Sequence, residues 1–125
     1  MSDCGVCLYT DDSDGVNEFT NITVRKARKQ HECSECLRPI LVGAKYEYAV
    51  GKFDGEIWTT HTCLECAEIA EAFYCDGRMY GGILWEDMEC AFDQLNESCF
   101  DKLQTVSAKK YLRERWMQWK FKERL

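Results

Sequence analysis

Residues 33–66 read CSECLRPILVGAKYEYAVGKFDGEIWTTHTCLEC. A Cys-x-x-Cys pair closes each end of this stretch, Cys33/Cys36 and Cys63/Cys66. Two residues between thiols let both sulfurs reach one tetrahedral ion, and two such pairs complete the four-thiolate shell of a structural zinc. A closed shell leaves no coordination position for water, so the pattern points to architecture and binding rather than to metal catalysis.

Between the pairs, the one proline of the chain, Pro39, forbids a helix straight after the first thiols. Two thiols on a tight turn followed by proline have the form of a zinc knuckle. Tyr46, Tyr48 and Val50 then alternate with Lys45, Glu47 and Ala49, and Glu56–Thr62 is rich in β-branched and aromatic residues. Gly51-Lys52-Phe53-Asp54-Gly55 supplies turn chemistry between them, which predicts a β-hairpin. From Cys63 to Tyr74 the pattern becomes helical, with Ala67, Ala70 and Phe73/Tyr74 on one face and Glu65 near the positive end of the helix dipole.

Outward from this core, residues 21–32 read as an extended arm that turns basic at Arg25, Lys26, Arg28 and Lys29. Residues 75–82 read as a loop. Residues 83–95 read as a second helix with a Leu84, Met88, Ala91/Phe92 and Leu95 stripe, stopped at Asn96. Ser98 is placed to cap a short turn, and Ser107 to cap a last helix over 108–123 carrying Leu112, Trp116 and Trp119. The fold class is therefore α+β: a small zinc-stapled core with additional C-terminal helices. Residues 1–100 form the zinc-binding unit and residues 101–125 a basic amphipathic helix packed on it or appended to it.

Knuckle, hairpin, then a Cys pair at a helix start: this order resembles the treble-clef zinc finger family over roughly residues 31–75. The resemblance implies that Cys33 and Cys36 are knuckle ligands and Cys63 and Cys66 helix ligands of one Zn²⁺. Many members read Cys-Pro-x-Cys-Gly at the knuckle, whereas this chain reads Cys33-Ser34-Glu35-Cys36-Leu37. The wider pattern, including Tyr80-Gly81-Gly82-Ile83-Leu84-Trp85 and the tryptophan-rich C-terminus, is similar to small phage and prophage proteins, which implies a mobile-element origin and little about activity.

Nine cysteines cannot all pair internally as disulfides, and no stretch resembles a secretory signal or membrane span. The expectation is a cytoplasmic chain with reduced thiols. Cys4 and Cys7 then form a third pair, and with Cys75 and Cys90 they are the candidate ligands of a second zinc; Cys99, His31 and His61 are alternatives. The competing reading makes Cys90 and Cys99 small core residues. Cys4-Gly5-Val6-Cys7 also has redox-pair spacing, but no strand precedes it as that chemistry requires.

Net charge is −6, which argues against indiscriminate nucleic-acid binding. Residues 101–125 nevertheless hold eight Lys or Arg against three acids, +5 in total, leaving −11 on residues 1–100. The basic helix either lies on the acidic body or serves as a binding tail. The function expected is that of a non-enzymatic zinc-binding protein that regulates or inhibits a host protein or complex, with Phe53 and Trp119 as contact residues and no membrane or small-molecule partner. A nucleic-acid-binding regulator acting through Arg25, Lys26, Arg28 and Lys29 is the alternative. A zinc-dependent nuclease using His61 comes third.

Overall fold

In the computed structural model, residues 4–8, 17–75, 78, 80 and 82–123 are described. The hairpin forms as expected, with β4 (Lys45–Phe53) antiparallel to β5 (Glu56–Cys63) and paired from Phe53↔Glu56 to Tyr46↔Cys63. Asp54 and Gly55 turn the chain at φ 51° and 84°. Positive φ at both central residues gives a two-residue loop whose twist matches the flanking strands, the conformation an Asp-Gly pair favours.

The arm does more than lead into the first cysteines. As β1 (Asn17–Lys26) it runs antiparallel along β4, with Ile22 opposite Ala49 and Arg25 opposite Tyr46, so the sheet order is β1-β4-β5. Its alternation is weak in sequence because it is an edge strand whose residues 21–26 are all exposed. The knuckle lies between two short strands, β2 (His31–Glu32) and β3 (Pro39–Ile40).

β5 runs directly into α1 (Leu64–Phe73), so Cys63 ends a strand and Cys66 lies one turn into a helix. α1 buries Cys66, Ala67, Ile69, Ala70 and Phe73. It packs on β4 and β5, where Ala49, Thr60 and Thr62 are buried on one face of the sheet. α2 spans Leu84–Ala91 and relaxes into a 3₁₀ turn at Phe92–Gln94, shorter than the expected 83–95, although Leu84, Met88, Phe92 and Leu95 are all buried as a stripe. Asn96, rather than Ser98, caps the next turn by accepting the Ser98 N–H at 2.9 Å. The cap of α3 (Val106–Glu123) is likewise shifted: Thr105 Oγ1 accepts the Ala108 N–H at 3.2 Å, in place of Ser107.

α3 lies on the body. Ala108, Tyr111, Leu112 and Trp116 join the same buried cluster as α1 and α2. The Trp116 indole donates to the Phe92 carbonyl at 3.2 Å, and Glu68 of α1 accepts from Gln104, Thr105 and the Thr105 hydroxyl at the start of α3. Arg113 forms a two-pronged pair with Glu97 at 2.7 Å. Among the described residues, no helix is long and apolar enough to cross a membrane.

The expectation of uniformly reduced thiols does not hold. Cys4 is joined to Cys99 and Cys7 to Cys75. Between these bonds Val6 is buried, Leu8 bridges Tyr74, and the Val6 carbonyl accepts from Lys102 at 3.0 Å. The N-terminal segment is thus a strap across the ends of α1 and the Glu97–Lys102 turn.

Because the bonds close sequence separations of 95 and 68 residues, each restricts the unfolded chain strongly. Cys4→Ser and Cys99→Ser are each expected to lower unfolding free energy by about 2–5 kcal/mol in urea titrations under non-reducing conditions. Unchanged midpoints in both variants would contradict the pairing.

Candidate metal centre

The knuckle and the strand-to-helix junction bring Cys33, Cys36, Cys63 and Cys66 together, all four sulfurs lying within 4.8 Å of one another. The Cys36 and Cys63 sulfurs are 3.8 Å apart. Zn–S bonds of about 2.3 Å put the corners of a sulfur tetrahedron about 3.8 Å apart, so this edge already has the length that zinc requires. Cys33 and Cys66 are fully buried, and Cys36 and Cys63 are half-buried.

The surroundings fit four thiolates around a dication, a group with a net charge of about −2. Backbone N–H groups of Cys36 and Cys63 point at Cys33 Sγ at 3.5 and 3.4 Å. The Trp85 indole N–H donates to Cys66 Sγ at 3.4 Å from α2. Arg38 donates through Nε to Cys36 Sγ at 3.3 Å and through its terminal nitrogen to Cys63 Sγ at 3.5 Å. Its guanidinium also lies 3.6 Å from the centre of the Tyr111 ring, which sandwiches the charge between the thiolates and α3. Packed this closely, the thiols do not all ionise alone. Cys36, against Cys33, Cys63, Cys66 and Arg38, is held below the usual thiol range, while Cys66, behind Cys33, Cys36 and Cys63, is held above it.

The Ser34 departure from Cys-Pro-x-Cys-Gly has a local physical account. The Ser34 N–H donates to the His61 carbonyl at 2.7 Å, a bond that proline could not make, and Ser34 Oγ accepts the His61 N–H at 3.1 Å. Glu35 is buried and accepts the Leu84 N–H at 3.1 Å, so the knuckle satisfies a donor at the start of α2. Burial pushes the Glu35 carboxyl up, and the Leu84 and Gly82 amides oppose that shift. Gly82, at φ 85°, passes so close that a Cβ would sit 3.0 Å from the Ser34 carbonyl. Leu37 occupies the glycine position at φ 66° and is 64% exposed.

The expected second set is not assembled. Cys4, Cys7 and Cys75 are in the two disulfides, and Cys90 is free and exposed on α2. The sequence could not reveal this, because pairing across 95 and 68 residues depends on how the terminal strap packs. Cys99, one of the alternative ligands, is fully buried in the first disulfide.

His31 and His61 also stand apart from the sulfurs as a stacked pair, with ring centres 4.4 Å apart. Burial, followed by His31, Lys29 and Arg25, holds the His61 imidazole below its usual range. Arg25, Lys26, Arg28 and Lys29 are exposed and form no ion pair with any described residue. Phe53 is 42% exposed at the hairpin tip, whereas Trp119 is half-buried with its ring edge-on to Phe92 at 5.7 Å. Neither Arg38 nor Trp85 was legible as a sulfur partner; residue spacing gives no sign of contacts made by a later helix.

The site is expected to hold one metal ion per chain. Cys63→Ser should lose that ion and unfold at a lower temperature, because metal binding contributes directly to folding here. Elemental analysis and thermal melting check both, and an unchanged metal content and melting temperature would contradict the assignment. No protein-family model, curated protein or solved structure matches this chain.

Proposed function

We propose that this chain is a non-enzymatic zinc-binding protein of treble-clef type, akin to small phage and prophage proteins, which regulates or inhibits a host protein or complex by binding it. The observation that carries the reading is Leu37. A left-handed backbone costs a non-glycine residue about 1–2 kcal/mol, and this side chain gains little burial in return. Strained backbone clusters at functional sites, so an exposed apolar residue held in this way supports a contact with a partner.

Leu41, Val42 and Leu64 are also exposed, respectively 60%, 67% and 41%. A groove of about 360 Å³ is lined by Pro39, Ile40, Leu41 and Ala44, with Arg38, Lys45 and Glu65 as charged groups. A cluster of apolar anchors with polar edges suits a protein partner. Phe53 is a second anchor at the opposite end of the hairpin, and Trp119 contributes the edge left uncovered by Phe92. The acidic body steers association towards a basic partner surface. A four-thiolate shell has no position for a substrate or water, which supports a structural rather than catalytic metal.

Leu37→Gly separates binding from folding. It is expected to leave the metal content unchanged and the melting temperature equal or higher, while a partner recovered from host extract binds the purified variant at least about tenfold more weakly in calorimetry, the loss of one interface anchor. Equal affinity of native chain and variant, or recovery of no partner with either, would overturn the reading.

A further inference from the structure

The sheet face opposite α1 is the largest feature the protein-binding reading leaves unused. By register, Thr23 and Arg25 of β1, Tyr46, Tyr48 and Val50 of β4, and Thr59 and His61 of β5 share this face. Tyr46 is buried, and the others are exposed or half-buried. None is acidic, although the chain as a whole carries −6.

Planar groups adjoin one another across the face. The Arg25 guanidinium lies 4.0 Å from the centre of the Tyr48 ring, Tyr48 meets His61 edge-on at 5.4 Å, and His61 stacks on His31 at 4.4 Å. The Tyr46 ring backs the pair, 5.1 Å from His31 and 5.5 Å from His61, while Arg25 at the other end of the series is exposed. Arg28 and Lys29 follow Arg25 past the end of β1, and none of the three has an ion-pair partner among the described residues, whereas Lys26, opposite Lys45, belongs to the other face.

We infer that this face binds single-stranded nucleic acid. Unstacked bases pack against aromatic rings and arginine planes whatever their sequence, and an adjoining row of cations follows the phosphates. A duplex hides the faces of its bases and cannot use the stacking half of such a surface. An acidic peptide would satisfy the cations but leave the planar groups unmatched, so the pairing of both features favours the oligonucleotide. This surface is separate from the Leu37 knuckle, and its failure would leave the protein-binding reading standing.

The test is fluorescence anisotropy with the metal-loaded full chain and labelled twelve-nucleotide single strands of RNA and DNA, the matching duplexes, and polyglutamate. Binding of either single strand in the micromolar range, weakening with salt, is the expected result, and the tighter arm identifies the nucleic acid. Arg28→Glu combined with Lys29→Glu should weaken it at least about tenfold by opposing phosphate, and Arg25→Leu should do so by removing both a charge and a stacking plane. Circular dichroism and metal content verify that each variant is folded. Failure to bind either strand, equal affinity for duplex, or indifference to both variants would overturn the proposal. Polyglutamate binding as tight as the oligonucleotide would overturn it in favour of a protein ligand.

Discussion

Four cysteine sulfurs meet within 4.8 Å of one another, and as thiolates they would need a cation between them and donors around them. A cation held there would fix the knuckle against the junction of β5 and α1. The donors fix the rest: Trp85 ties α2 to Cys66, and Arg38, pressed onto Tyr111, ties α3 to Cys36 and Cys63. Glu35 reaches from between the first two cysteines to the start of α2. The C-terminal helices are therefore connected to the metal centre by side chains that either offset its charge or continue its hydrogen bonding. For a chain of this size such a staple supplements a small apolar core.

The part of this arrangement set by local pattern was legible. The Cys-x-x-Cys pairs, the alternation of β4, the Asp-Gly turn and the apolar stripes of α1 and α2 each depend on residues close in sequence, and each is found near its expected bounds. What was missed depends on distant partners. β1 lacks alternation because it lies at an exposed edge. The Cys4 and Cys7 bonds depend on Val6 and Leu8 being buried across the ends of other elements. Ser34 and Leu37 appeared in sequence only as departures from a knuckle pattern, and Glu35 only as its free position; the contacts of Ser34 with His61 and of Glu35 with Leu84 are made by distant elements.

Disulfides beside a free four-cysteine cluster are compatible when a metal protects the second set. Disulfides are usual in oxidising compartments and rarer in the cytosol, where they tend to be transient. In this chain the bonded pairs hold a terminal strap, and the cluster thiols are held by a knuckle and a helix turn. The two sets thus serve separate ends of the same core. Both leave Leu37 at the knuckle tip exposed.

One ion with an all-sulfur shell is expected to organise this core. X-ray absorption at the zinc edge of the metal-loaded protein reads that shell. Four sulfur scatterers at about 2.3 Å and no light-atom ligand are expected. A shell containing nitrogen or oxygen, from His61 or from water, would contradict it.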